Sequence, residues 1–171
     1  MQFSFSKLSR LTVIASTASL LVLAGCASQV PLEDKSASAT SAEDAASAAR
    51  AREIAAAKAA LEKVKPSVYF DFDSYEIKPQ YQATVSAFAN YLKVDDKARL
   101  VIEGNADERG TTEYNLALGQ KRAQTVSKAL GVLGVAGNRV EAVSNGEEKP
   151  RAKGSNEAAW AENRRADLLL K

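Results

Sequence analysis

From Ala27 to Lys65 the chain carries no aromatic residue and no glycine, and its large apolar side chains are few and scattered. Such a segment cannot bury enough apolar surface to offset the entropy of ordering itself. A compact core must therefore come from Pro66 onward, a stretch of ordinary domain size. Residues 27–42, rich in Ala and Ser, are expected to be extended or disordered. Residues 43–65 are strong helix formers, with acids at the start and lysines at the end, an order that suits the helix dipole. Only Ile54, Leu61 and Val64 are large and apolar there, too few for a coiled coil. The expectation is a semi-rigid, partly helical spacer.

Beyond Pro66 the periodicity changes from element to element. Ser67–Phe72 is aromatic and β-branched and predicts a short strand. Tyr81, Val85, Phe88 and Leu92 recur at helical spacing and predict a helix over 79–94. Residues 99–104 alternate as a strand, with either Leu100 and Ile102 or Val101 and Glu103 inward. Leu116, Ala123, Val126, Leu130 and Leu133 place one apolar face on a helix over 113–133, with Gly131 and Gly134 near its end. A strand over 139–144, a short helix over 156–162 and a strand over 165–170 complete the order β-α-β-α-β-α-β. That order predicts an α/β (α+β) sandwich, with helices packed on one face of a small mixed sheet.

The N-terminus reads as an address. Lys7 and Arg10 precede an apolar, small-residue run over 11–25 that is too short to span a membrane comfortably. This is a secretory signal over 1–25. Its end, Leu23-Ala24-Gly25-Cys26, resembles the bacterial lipobox, in which the Cys receives a diacylglycerol and becomes the new N-terminus. The expected division is a signal peptide over 1–25, a lipidated Cys26 and tether over 26–65, and one domain over 66–171. Ala27 and Ser28 are not the Asp that retains lipoproteins in the inner membrane, which implies the outer membrane, facing the periplasm.

Composition narrows the chemistry. There is no histidine, and Cys26 is the only cysteine. His triads, His general bases, His or Cys metal sites and an internal disulfide are all excluded. Lys7 and Arg10 are the only charges before Cys26, so the formal net charge of +2 belongs to the signal and the remainder is balanced. Nothing in that balance attracts nucleic acid.

Four segments stand out: Val68–Asp73 (VYFDFD), Glu103–Thr111 (EGNADERGT), Glu113–Ala123 (EYNLALGQKRA) and Asn163–Ala166 (NRRA). In order and spacing they resemble the OmpA-like peptidoglycan-binding family, and within it the lipid-anchored, peptidoglycan-associated branch. Two positions depart from that pattern: Asn105 stands where many members carry His, and Asn145 where Tyr is usual.

The resemblance implies a site. Asp107, in a loop after the second strand, and Arg122, in the second helix, are implied to bind meso-diaminopimelate of the peptidoglycan stem peptide. That group carries an ammonium and a carboxylate on one carbon, which a carboxylate and a guanidinium fork complement. Backbone N–H groups from Arg109 through Gly110 to Thr111 are implied as further donors to the carboxylate. Phe72 and Asp73, at the end of the first strand, are implied as the opposite wall, and Leu118 as an apolar contact. No cofactor is implied beyond the covalent lipid of Cys26, an S-diacylglycerol with an N-acyl chain such as palmitate. The implied partners are peptidoglycan, outer-membrane lipid, and TolB with the other Tol–Pal components that act in envelope integrity and division; nucleic acid is not among them.

Spacing by itself leaves other readings open. Asp107 and Arg122 could be a structural ion pair. Glu108 and Arg109 read as solvated loop charges, and Tyr114 and Trp160 as core or rim packing. Arg164 and Arg165 alternate, so at most one faces the site. Asp71 and Asp73 share one strand face, but as general acid and base they lack a cleft of polar neighbours. The rival functions are an OmpA-like lipoprotein that binds peptidoglycan without TolB, and a wall hydrolase, against which the lack of His and of a second Cys argues.

Overall fold

The computed structural model describes residues 35–171. The signal, the lipobox and Cys26 lie outside the described residues. The chain forms α1 (Lys35–Leu61), β1 (Ser67–Tyr69), a 3₁₀ turn at Pro79–Tyr81, α2 (Gln82–Val94), β2 (Leu100–Asn105) and α3 (Thr112–Val132). A second 3₁₀ turn at Gly137–Arg139, β3 (Val140–Gly146), α4 (Glu157–Asn163) and β4 (Arg165–Leu170) follow. The strands form one open mixed sheet in the order β1-β4-β2-β3. β4 is antiparallel to both β1 and β2, whereas β2 and β3 are parallel, with α3 as the connection between them.

One face of the sheet meets the helices. Val68, Leu100, Ile102, Ala166 and Leu168 point to the same side, where they pack with Val85, Phe88, Ala89 and Leu92 of α2 and with Ala123, Val126 and Leu130 of α3. The alternative left open for β2 thus resolves with Leu100 and Ile102 inward. The α2 face is the one its periodicity predicts. On α3 the prediction is half right: Leu116 and Leu133 are exposed, while Asn115, Leu118, Gly119 and Arg122 are buried. The first half of α3 turns its polar residues inward because they build a site, not a core.

Three expectations about element bounds need correction. β1 ends at Tyr69, not Phe72, so Phe70–Asp73 is loop. Past Phe70, whose N–H still meets the Arg164 carbonyl, the carbonyls of Asp71 and Ser74 turn to Arg122 and not to a neighbouring strand. Asp73 has a positive φ of 54°, so it does not share a strand face with Asp71; Asp71 pairs with Lys78 instead. α1 begins at Lys35, within the stretch expected to be extended, since its Ala-rich sequence favours helix from the outset. Leu61 and Val64 are half-buried against the core, and α1 also meets the α2–β2 loop through an Arg50–Asp96 ion pair.

The opposite face of the sheet carries a polar cluster. Ser67, Arg151 and Arg165 all donate to the buried carboxylate of Asp167, and Arg151 also donates to the Tyr69 hydroxyl.

Candidate functional site

Where β2 ends and α3 begins, the two backbones approach closely. A Cβ built on Gly104 would sit 1.9 Å from the Gly119 carbonyl oxygen. This contact brings the polar half of α3 over the end of β2. The loop after β1 closes the third side. Together they enclose a cavity of about 270 Å³, lined by Phe72, Asp73, Asp107, Arg109, Gly110, Tyr114, Asn115, Leu118 and Arg122.

Arg122 forms the floor and is fully buried. Its Nε donates to the Ser74 carbonyl at 2.8 Å, Nη1 to Asn105 at 2.8 Å and Nη2 to Asp71 at 3.1 Å. Two backbone segments, the loop after β1 and the end of β2, therefore converge on one guanidinium, which lies 5.3 Å from the Phe70 ring centroid. Among the described residues no carboxylate bonds to it, so Asp107 and Arg122 are not a structural ion pair. Burial pushes its pKa down to about 10, against the opposing pull of Asp107 and Asp73. It remains charged at neutral pH, and a guanidinium has five N–H groups, so two are left over after the three carbonyls. A buried cation held only by carbonyl dipoles is chemically suited to receive an anion.

Asp107 is buried above it. Its Oδ1 accepts from the backbone N–H and the Nε of Arg109, both at 3.1 Å. Its Oδ2 accepts from Nη2 of Arg109 at 2.7 Å and from Nη1 of Arg164 at 3.3 Å. Burial raises the Asp107 pKa, but the bonds from Arg109 and Arg164 outweigh it and hold the carboxyl below its ordinary value.

Arg109 is not the solvated loop charge that the sequence suggested. Its guanidinium lies between two rings, 4.0 Å from the Phe72 centroid and 4.1 Å from the Trp160 centroid. Trp160 in turn donates its indole N–H to Glu108 at 3.0 Å. Because the Arg109 backbone N–H is spent on Asp107, it does not serve as a free donor at the helix N-terminus. Thr111 likewise does not line the cavity. It caps α3, its side chain accepting from the Tyr114 N–H. The remaining expected residues, Phe72, Asp73, Asp107, Gly110, Leu118 and Arg122, do come together at one cavity.

Two lining residues were missed. Tyr114, read as core or rim packing, stands half-exposed at the rim, where it also lines the cavity and donates to Asp73. Asn115 is buried and donates to Glu147 at 2.5 Å. Of the two adjacent arginines, Arg164 faces Asp107 and Arg165 faces Asp167 on the other side of the sheet, as alternation required. The two departures from the family pattern meet each other: Asn145 donates to Asn105 at 3.2 Å and to Glu103 at 2.9 Å. Neither lines the cavity.

The OmpA family matches this chain over residues 69–164. A peptidoglycan-associated lipoprotein of Pasteurella multocida is 49% identical over 102 residues, covering 60% of this chain and 68% of that protein. One from Haemophilus influenzae is 47% identical over 110 residues, covering 64% and 72%. Among solved structures, the peptidoglycan-associated lipoprotein from Burkholderia pseudomallei is 59% identical with a TM-score of 0.62, covering 63% of this chain and 91% of that one. The C-terminal domain of Helicobacter pylori MotB, at 20% identity and a TM-score of 0.57, shares the fold alone. With its buried arginine, loop carboxylate and mixed sheet in place, the chain belongs to the OmpA family, and within it to the peptidoglycan-associated lipoproteins.

Proposed function

We propose that this protein is an outer-membrane lipoprotein that holds peptidoglycan non-covalently through diaminopimelate of the stem peptide. The observation that carries the reading is Arg122: a buried guanidinium lining the cavity, bonded to three carbonyls and, among the described residues, to no carboxylate. The diaminopimelate carboxylate is its counter-ion. Asp107, on the facing wall, receives the ammonium on the same carbon. Phe72, Leu118 and Tyr114 supply apolar surface for the methylene chain.

The protein binds and does not catalyse. Asp71 and Asp73 point to different partners, Lys78 and Tyr114, and are not arranged as an acid–base pair. The signal is residues 1–25, the tether 26–65 and the binding domain 66–171. Cys26 carries the lipid as an S-diacylglycerol and an N-acyl chain, since two or more chains are needed to hold a protein firmly on a bilayer. TolB is a second partner, and the protein acts within the Tol–Pal system.

Co-sedimentation of the detergent-solubilised protein with purified sacculi tests the pocket. Wild type should pellet, and Arg122→Ala and Asp107→Ala should remain in the supernatant. Pelleting of both folded variants at the wild-type level would overturn the assignment. For the anchor, Cys26→Ser should leave the outer-membrane fraction, and for the partner, immobilised TolB should retain the wild-type protein.

A further inference from the structure

The two charged groups of the pocket are met very differently. Among the described residues Arg122 has no anionic partner bonded to it, whereas all the acceptor positions of Asp107 are engaged. A carboxylate offers about four lone-pair sites, and four N–H groups occupy them here. An ammonium reaching Asp107 must therefore displace a donor. Arg164 is poorly placed to leave: it is buried, and it is also held by the Phe70 carbonyl at 3.1 Å and by Glu157 at 2.6 Å. Arg109 is the less encumbered one. Its side chain is about a third exposed, and its Nη1 already lies 3.9 Å from Oε2 of Glu157. The Phe72 and Trp160 rings flank the guanidinium, and such cation–ring contacts fix no hydrogen-bond direction that a shift toward Glu157 would have to break.

We propose that Arg109 is a specificity-determining latch: the ligand's ammonium displaces it from Asp107, and it moves along the aromatic slot onto Glu157. The proposal rests on the Asp107–Arg122 pocket assigned above. A ligand that offers only a carboxylate meets Arg122 and leaves the latch on Asp107. A ligand with both charges exchanges one cation for another on Asp107, so its ammonium gains less than it would from an open carboxylate. Arg109 thus lowers the preference of the pocket for a zwitterion over a plain acid and keeps the individual contact weak. Weak, exchangeable contacts suit a membrane bearing many copies opposite a polymeric wall.

The test titrates the full chain in detergent with meso-diaminopimelate and with pimelate, which has the same carbon skeleton and carboxylates but no amino groups. In Arg109→Gln the ratio of diaminopimelate to pimelate affinity should rise about tenfold, one charge-assisted bond's worth. Arg109→Lys, which keeps the charge but loses the fork, should fall between the two. Glu157→Gln retains an acceptor for Arg164 and removes the second seat for Arg109, so its ratio should fall about threefold. An unchanged ratio in Arg109→Gln, or weaker diaminopimelate binding there, overturns the latch and makes Arg109 a ligand contact or a fixed brace. If wild type does not bind diaminopimelate, or binds it equally well with Arg122→Ala, the pocket assignment itself falls, and the latch with it.

Discussion

Gly104 and Gly119 meet backbone to backbone, the end of strand β2 against the first half of helix α3. A Cβ on Gly119 would lie 2.7 Å from the Gly104 carbonyl oxygen and 2.4 Å from the Ser144 hydroxyl. Neither glycine is needed for a left-handed conformation; both are needed for space. The contact sets the depth at which α3 crosses β2, and so the height at which Arg122 meets the Asn105 carbonyl.

Gly104→Ala should destabilise the domain more than Gly119→Ala. The former drives a methyl into helix backbone, whereas part of the clash in the latter is with a serine side chain that can rotate. Overpacking of this kind costs about 1–3 kcal/mol. Urea unfolding should give that order of midpoints. Equal midpoints for both variants and wild type would show that α3 is free to shift.

Arg122→Lys should fail although the charge is kept. A lysine ammonium is a point charge and cannot bond three carbonyls from two segments and still present a fork to an anion. Sacculus binding should fall about ten- to hundred-fold. Arg122→Ala should also lower stability, by about 2 kcal/mol, because it strands carbonyls of Asp71, Ser74 and Asn105. Hydrogen exchange should show the loss concentrated in the loop after β1. Wild-type binding by Arg122→Lys would mean that charge alone suffices.

How much of this was legible in the sequence depends on the range of the forces involved. α2 and β2 announce themselves because burial of Val85, Phe88 and Leu92, or of Leu100 and Ile102, follows a local period. The same logic misleads on α3, where Leu116 and Leu133 fit the apolar period and yet are exposed, since Asn115 and Arg122 claim the buried positions. Asp107 and Arg122 are singled out by the family resemblance, whereas spacing by itself leaves a structural ion pair open. That they do not bond each other depends on carbonyls of Asp71 and Ser74, about fifty positions away, and no periodicity encodes that. The Phe72–Arg109–Trp160 stack and the Tyr114–Asp73 bond likewise join separate elements and leave no local trace.

Asp167 should matter for stability and not for binding. Its carboxylate accepts from Ser67 Oγ at 2.7 Å, Arg151 Nη2 at 2.6 Å and Arg165 Nε at 2.9 Å, on the sheet face away from the cavity. Arg165 is buried, so removing its counter-ion leaves an uncompensated charge. Asp167→Ala should cost about 3–5 kcal/mol and Asp167→Asn less, since the amide oxygen still accepts. Below the unfolding temperature both variants should still pellet with sacculi. Loss of pelleting by a folded Asp167→Asn protein would show that the two faces of the sheet are coupled.

Acid should weaken the fold partly through Asp107. Its carboxyl is held below the ordinary value in the folded protein, because the bonds from Arg109 and Arg164 overcome the effect of burial. A group whose folded pKa is depressed contributes stability that is complete above the unfolded value, about 4, and is lost as pH falls through the lower folded value. Asp95 is also lowered: burial raises it, but the Tyr91 hydroxyl and the Lys97 and Ala98 backbone N–H groups outweigh that. Its share of the acid dependence is present in any Asp107 variant. Asp107→Asn should therefore be less stable at neutral pH and should lose stability less steeply below about pH 4. Between about pH 6 and 8 binding to sacculi should be flat, because the chain has no histidine to titrate there. Stability measured by denaturant at a series of pH values decides it: parallel acid limbs for wild type and Asp107→Asn would mean that Arg109 and Arg164 do not favour the ionised form of Asp107 in the folded protein.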